Sequence, residues 1–136
     1  EAVHEEACRW EHVMSDHVEA KILTLLGNPT ESPYGNPIPG LEELGRPKAE
    51  AFSAGVISLD RVTPKDGTVV TGIVRRLGEP LQSDVETLAL LREVGVLPGV
   101  SIAASRPTGA LTVHVDVDGQ SVVLPQDVAI HIFIAQ

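Results

Sequence analysis

The run HEEACRWEH at residues 4–12 is the stretch that most constrains the fold of this chain. At about 100° per residue in an α-helix, four potential metal donors fall within roughly 100° of arc: His4, Cys8, Glu11 and His12. A separate arc of about 60° holds an apolar stripe: Val3, Ala7, Trp10 and Met14. Residues 1–14 are therefore predicted to form one helix, with a stripe for packing beside a stripe of metal donors.

Two interpretations of the donor stripe are open. Taken singly, each residue is explained as part of a solvated helix face. Taken together, the only Cys of the chain has a His four residues before it and another four residues after it. Mixed thiol, imidazole and carboxylate donors favour Fe(II), Co(II), Ni(II) or Zn(II) over magnesium or calcium. A closed structural zinc site would use more thiolates, so the pattern favours an exchangeable, sensing site.

The composition limits the class of protein. The 136 residues suffice for one domain, or for a small domain with a helical piece, and 43% hydrophobic with 3% aromatic residues predicts an aliphatic core. The net charge of −9 argues against this chain alone gripping a nucleic-acid backbone. A single Cys excludes an internal disulfide, and no signal peptide or membrane-spanning run is found, so we expect a cytoplasmic protein.

The distribution of charge along the chain and the residues at its start give two further expectations. Residues 1–45 contain nine acids and two bases, so the acidity is concentrated around the donor stripe. The chain begins without Met and enters the helical pattern without an N-cap residue. We therefore expect a fragment whose N-terminal part is missing.

The periodicity changes from helical to alternating along the chain. Ser15 is predicted to cap a second helix that Gly27-Asn28-Pro29 ends, and residues 46–55 read as a linker. Beyond it, Asp84–Val94 is predicted to be a helix, and Asp118-Gly119 a hairpin turn. Six strands suggest a small, partly open barrel: Val56–Val62, Thr68–Leu77, Gly99–Ser105, Leu111–Val117, Ser121–Leu124 and Val128–Ile134.

Motifs of the common enzyme classes are absent, so we expect no enzyme. There is no Gly-rich phosphate loop, no nucleophile elbow and no His-Glu-x-x-His. His114 and His131 lie in strand patterns and are interpreted as surface or barrel residues. The pair Arg75-Arg76 is interpreted as a solvated strand edge.

Two segments resemble the diphtheria toxin repressor family of iron-dependent repressors. Residues 3–15 (VHEEACRWEHVMS) are similar to the family's metal-binding helix. Residues 32–40 (SPYGNPIPG), followed by LEELG at 41–45, are similar to its Pro-rich segment in the same order. The resemblance implies an α+β fold with three parts: a helical metal-binding and dimerisation fragment (1–45), a linker (46–55) and a small SH3-like β-barrel domain (56–136).

The resemblance also implies which residues bind ligands. The primary, activating metal site takes Cys8, Glu11 and His12. The ancillary metal site takes His4 together with Glu79 and Gln82. An anion near the ancillary metal is held by Ser32 and Asn36.

These implied roles have plainer alternatives. From the residues alone, Glu79 and Gln82 read as a loop leading into a helix, and Pro80 between them restricts the backbone. Ser32 and Asn36 read as turn-capping side chains. The family's DNA-reading helix and several of its other metal ligands are absent from these residues, so both metal sites are expected to be incomplete.

The resemblance implies a metal-dependent transcriptional repressor, present as its regulatory C-terminal portion. Fe(II) is the expected metal, with Co(II), Ni(II), Mn(II) or Zn(II) as substitutes, because Cys8 stands where manganese-sensing relatives tend to carry a carboxylate. Metal binding would dock the missing winged helix-turn-helix domain, and a homodimer would bind operator DNA. The SH3-like domain would bind Pro33–Pro39 in extended form. Trp10 is the candidate for a dimer or core contact.

A different class of protein also fits part of the pattern. The β-rich region resembles the small SH3-like accessory proteins of iron transport, so a stand-alone interaction module is the alternative. Such a module would need no DNA-binding domain. A metalloenzyme is disfavoured because no general base or substrate pocket can be named.

Overall fold

The computed structural model describes residues 2–11, 14–49, 51 and 54–136, with the backbone alone at Ala2, His4 and Glu11. The chain forms two compact units, which are described separately. The first unit comprises Glu1–Ser32 and Pro37–Phe52, and the second comprises Pro33–Asn36 and Ser53–Gln136. Residues 33–36 therefore group with the second unit although they interrupt the first in sequence.

Within its described residues, the first unit contains two α-helices and one short 3-10 helix. α1 spans Ala2–Glu11, α2 spans Asp16–Leu25, and the 3-10 helix spans Leu41–Leu44. Ser15 caps α2 as predicted, because its Oγ accepts a hydrogen bond from the backbone N–H of Val18 at 3.3 Å. Leu23 of α2 and Leu41 of the 3-10 helix are both buried and form the apolar centre of this small unit.

The second unit contains six strands and four helices within its described residues. The strands are β1 Val56–Ser58, β2 Val70–Leu77, β3 Ser101–Ser105, β4 Val113–Val117, β5 Gln120–Leu124 and β6 Ile132–Ala135. The helices are α3 Leu59–Val62, α4 Glu79–Gln82, α5 Val85–Val94 and α6 Gln126–Ala129. Helices together with one antiparallel sheet confirm the predicted α+β class. None of the helices described is long and apolar enough to cross a membrane.

The six strands form one antiparallel sheet in the order β1-β6-β2-β3-β4-β5. The hairpin between β4 and β5 turns at Asp118 and Gly119, which have positive φ angles of 47° and 84°, as the sequence predicted. β4 alternates regularly, and its inward residues are buried in the core: Val113, Val115 and Val117. The core is aliphatic throughout, as expected from the composition.

Two predicted strands are partly helical. Val56–Val62 divides into β1 and α3, and Val128–Ile134 divides into the end of α6 and β6. The β-branched residues of these two segments favour strands, but local capping places a short helix in part of each segment. Ser58 Oγ accepts a hydrogen bond from the Arg61 N–H at 3.3 Å and so starts α3. Pro125 starts α6, because its carbonyl accepts from the N–H of Ala129 at 3.1 Å.

β2 contains a β-bulge at Arg75. Val74 pairs with Ile134 and Arg76 pairs with Phe133, so Arg75 is the extra residue of the bulged strand. The bulge breaks the alternation of the strand, and the Arg76 side chain is fully buried. The prediction that this pair forms a solvated strand edge is therefore wrong for Arg76, which pairs with β6 and whose side chain is buried and donates to the Gly35 carbonyl.

A second arginine is buried with a carboxylate. Arg106 is 1% exposed, and its Nη2 donates to Asp60 Oδ1 at 2.5 Å and to the Asp60 backbone carbonyl at 3.1 Å. The Asp60 side chain is 18% exposed, so the ion pair is largely shielded from water. This contact ties α3 to the residue that follows β3.

Candidate functional site

α1 carries the predicted metal donors of the first unit. Because an α-helix has 3.6 residues per turn, the backbone places His4, Cys8 and Glu11 on one face of α1. The Cys8 side chain is exposed. The side chains of His4 and Glu11, and the whole of His12, lie outside the described part of the chain. The structure thus gives a surface thiol and the backbone positions of two neighbouring donors.

Trp10 lies beside that face and is not a core residue of the described chain. It is 58% exposed, and its Nε1 donates to Glu6 Oε1 at 3.2 Å. Glu6 also pairs with Arg9 at 3.5 Å. The core option for Trp10 is therefore wrong, and its part in a dimer contact stays a prediction.

The predicted ancillary donors of the second unit lie on α4. Glu79 is exposed, and Gln82 is half-buried, with its Nε2 donating to the Leu77 carbonyl at 3.3 Å. Pro80 lies in the first turn of α4, where its missing N–H has no intrahelical partner to lose. The restriction that Pro80 imposes on the backbone is therefore compatible with a helix that carries both side chains.

The turn at residues 33–36 is bonded to the end of β2, inside the second unit. The Leu77 N–H donates to the Tyr34 carbonyl at 2.9 Å, and Asn36 Nδ2 donates to the Leu77 carbonyl at 2.6 Å. Arg76 Nη1 donates to the Gly35 carbonyl at 3.0 Å, which explains one role of that buried arginine. Three consecutive residues of the turn, 34–36, are thus hydrogen-bonded to two consecutive residues of β2, Arg76 and Leu77.

Gly35 is required where the turn meets the β-bulge. Its φ is +79°, and a Cβ built there would lie 2.0 Å from the carbonyl oxygen of Arg75. No side chain fits at that distance. Residues 33 and 34 form a turn and not extended chain, so the expected extended conformation of Pro33–Pro39 is wrong at this point.

Tyr34 provides the side-chain contact of the same turn. The guanidinium of Arg92 on α5 lies over the Tyr34 ring, 5.6 Å from its centroid, and Arg92 Nη2 donates to the Tyr34 hydroxyl. Tyr34, Gly35, Arg76 and Arg92 were not singled out as a group from the sequence. Their only local signal is the Tyr-Gly-Asn turn, because their partners are more than 40 residues away.

The two residues of the predicted anion site, Ser32 and Asn36, belong to different units. Ser32 is half-buried in the first unit. Asn36, in the second unit, directs its amide hydrogens towards the carbonyls of Leu77 and, at 3.5 Å, Tyr34. Anion binding by these two residues stays a prediction.

The predicted donors belong to separate units. Among the side chains that the structure describes, no three His, Cys, Asp or Glu residues are grouped so as to hold a metal ion. Cys8 belongs to the first unit, whereas Glu79 and Gln82 belong to the second.

Among the carboxylates that the structure describes, Asp84 and Asp66 have lowered pKa values, and both stabilise local structure. The Thr87 hydroxyl, followed by the Thr87 backbone N–H, lowers the pKa of Asp84 below its usual range at the start of α5. The pKa of Asp66 is lowered in the same way by hydrogen bonds from Thr68. Both groups are turn or cap residues and lie outside the predicted metal donors.

Comparison with known sequences finds similar proteins among the metal-dependent repressors. Residues 1–40 match the sequence profile described as "Iron dependent repressor, metal binding and dimerisation domain". The chain is 41% identical over 131 residues to the iron-dependent repressor IdeR of Mycobacterium tuberculosis, covering 95% of this chain and 56% of that protein. It is 58% identical over 109 residues to the diphtheria toxin repressor of Corynebacterium jeikeium, covering 73% and 45% respectively. The chain spans about half the length of the curated relatives it matches.

The fold of the chain is also similar to that of a solved repressor structure. A solved structure named as a manganese-dependent transcriptional repressor matches with a TM-score of 0.75 and 27% identity, over 98% of this chain and 67% of that one. The α+β order predicted from the resemblance is confirmed by this match. The chain is therefore similar to the C-terminal portion of the iron-dependent repressors of the diphtheria toxin repressor family.

Proposed function

We propose that this chain is the regulatory portion of a metal-dependent transcriptional repressor that binds operator DNA as a homodimer in the cytoplasm. The observation that carries the proposal is the run of donors at residues 4–12, which begins on α1 and lies inside the segment that matches the metal-binding and dimerisation profile. The names of the relatives, iron-dependent repressor and diphtheria toxin repressor, support the same function. No observation favours the alternative of a stand-alone module of iron transport.

We propose Cys8, Glu11 and His12 as ligands of the primary site, and His4, Glu79 and Gln82 as ligands of the ancillary site. The exposed thiol of Cys8 and the helical spacing of the α1 donors fit a divalent transition metal. On α4, the Gln82 amide nitrogen faces the Leu77 carbonyl, which leaves the amide oxygen to act as the donor. Fe(II) is the proposed metal, in line with the name of the relatives and the presence of a thiolate ligand.

The proposed mechanism is a docking switch. A divalent ion held by α1 would supply a cross-link to donors elsewhere in the full protein. The chain's own contribution is to hold several donors at helical spacing on a short helix, with net acidity that attracts a cation. DNA contact is assigned to residues other than these, because a net charge of −9 opposes phosphate binding.

We propose the domain division 1–45, 46–55 and 56–136, with the SH3-like domain holding the Pro-rich segment through its turn. Hydrogen bonds from Leu77, Asn36 and Arg76 support the contact. The contact supported by these bonds is backbone recognition of a turn at 33–36, with Tyr34 as its aromatic anchor.

The decisive experiment is metal binding with matched variants. The protein expressed from its complete reading frame would be titrated with Co(II) by calorimetry, and its retention of operator-containing DNA would be measured with and without metal. Cys8→Ala combined with His12→Ala should weaken Co(II) binding roughly tenfold or more and abolish metal-dependent DNA retention. His114→Ala, which changes an exposed histidine of β4, is the control and should leave both unchanged. Unchanged Co(II) affinity in the double variant would refute the site.

A further inference from the structure

One backbone carbonyl of the second unit accepts hydrogen bonds from two side-chain amides. The Leu77 oxygen accepts from Asn36 Nδ2 at 2.6 Å and from Gln82 Nε2 at 3.3 Å. Asn36 comes from the turn at 33–36, which precedes Leu77 in sequence, and Gln82 comes from α4, which follows it. A carbonyl oxygen has two lone pairs, so it can serve both donors at once.

The shared carbonyl sets the orientation of the Gln82 amide. An amide side chain has one oxygen and one NH₂ group, and metals bind the oxygen. When the NH₂ group of Gln82 points to the Leu77 carbonyl, the amide oxygen is turned away from that carbonyl. The Leu77 carbonyl therefore decides which atom of Gln82 is presented to a ligand.

The turn at 33–36 in turn fixes the Leu77 peptide. The Leu77 N–H donates to the Tyr34 carbonyl at 2.9 Å, so both polar groups of Leu77 are held by the turn. We infer that Asn36 is a positioning residue for Gln82, acting through the Leu77 carbonyl to hold the Gln82 amide oxygen outward. The relevance of this orientation to metal rests on the proposed function of Gln82 as a ligand.

The orientation is tested first without metal. In the ¹⁵N-labelled 136-residue chain, the Gln82 side-chain NH₂ signals are assigned by their loss in Gln82→Ala. Asn36→Ala should move these signals towards random-coil positions and speed their hydrogen exchange roughly threefold or more, because the Leu77 carbonyl that accepts from Gln82 is then no longer held by the Asn36 amide. Asn28→Ala is the control, since Asn28 accepts from Arg46 in the first unit. Gln82 signals that are the same in Asn36→Ala and the parent chain would overturn the inference.

The consequence for metal is tested by a double-variant cycle in the protein expressed from its complete reading frame. Asn36→Ala should weaken Co(II) binding at the ancillary site up to about tenfold in the parent, and not at all in the Gln82→Ala background. An equal loss in both backgrounds would overturn the inference, because Asn36 would then act by itself, for example on an anion. If Gln82→Ala leaves Co(II) binding unchanged, the proposed ligand role of Gln82 fails, and the metal-free spectra alone decide whether Asn36 orients its amide.

Discussion

Gly35 shows how a single residue without a side chain makes a contact possible. A Cβ at this position would lie 2.0 Å from the Arg75 carbonyl oxygen, and the φ of +79° is already unfavourable for other residues. Gly35→Ala should therefore lower the free energy of unfolding by about 3 kcal/mol, measured by urea denaturation.

Gly109 supplies the matched control for Gly35. It has the same φ of +79°, but nothing lies within 4 Å of a Cβ built there. Gly109→Ala should cost only the positive-φ strain, about 1 kcal/mol. Equal losses in the two variants would contradict the steric argument at the β-bulge.

The ion pair of Arg106 and Asp60 gives a second prediction for single residues. Asp60→Ala removes the only described side-chain partner of a guanidinium that is 1% exposed. The uncompensated buried charge should lower the free energy of unfolding by about 3–5 kcal/mol in a denaturation experiment. Asp127→Ala, at an exposed position of α6, should change it by less than about 1 kcal/mol. A small effect of Asp60→Ala would mean that water reaches Arg106.

Among the elements, α5 depends on an ionised cap. Hydrogen bonds from the hydroxyl and backbone N–H of Thr87 lower the pKa of Asp84 in the folded chain. A lowered folded pKa means that this stabilisation is present above the ordinary pKa and is lost as the pH falls through the folded value. Urea denaturation should therefore show that Asp84→Asn is less stable than the parent near neutral pH, and that this difference vanishes in strong acid.

Thr87→Ala tests the cause of that pH dependence. It removes the hydroxyl that contributes most to the lowered pKa, so it should raise the Asp84 pKa towards its usual range. The pH-dependent difference between Asp84→Asn and the parent should then shrink in the Thr87→Ala background. The same difference with and without Thr87 would show that another group sets this pKa.

Elements with local signals were predictable from the sequence. α5 has Asp84 at its start and Gly95 at its end, and the β4–β5 turn has Asp118-Gly119, so their boundaries follow from neighbouring residues. The prediction of a strand over all of Val56–Val62 was wrong, because Ser58 caps α3 although the β-branched residues of this segment favour a strand. Where a cap and a strand pattern overlap within a few residues, the pattern alone could not choose between them.

The candidate site was predictable only in part, for a similar reason. The helical spacing of His4, Cys8 and Glu11 is visible in sequence, since it depends on residues within two turns of one another. The bonds that join Asn36 and Gln82 to Leu77 include one that spans 41 residues. The periodicity of the sequence does not indicate which distant residues form hydrogen bonds. These bonds depend on the bulge in β2 and on the turn at 33–36 that is bonded to the strand.

For the whole molecule, β6 is an interior strand of the sheet although it is the last strand in sequence. It lies between β1 and β2 and pairs with both. A chain that stops at residue 130 should lose the cooperative unfolding of the second unit and the dispersion of its NMR signals. Removing Gln136 alone takes away one backbone bond, to Gly55 at 2.9 Å, and should leave both intact. A shortened chain that keeps a dispersed spectrum would contradict this role of β6.

The position of β6 also has a consequence for how the protein is made. β1 ends at residue 58 and β2 at residue 77, whereas β6, the strand that lies between them, begins only at residue 132, so neither can pair with β6 when it leaves the ribosome. Closing the sheet is therefore a late, long-range step, which slows folding and leaves strand edges exposed during synthesis. The sheet that carries Leu77, Arg76 and the turn at 33–36 is complete only after translation has passed residue 135, so it closes long after α1 has been synthesised.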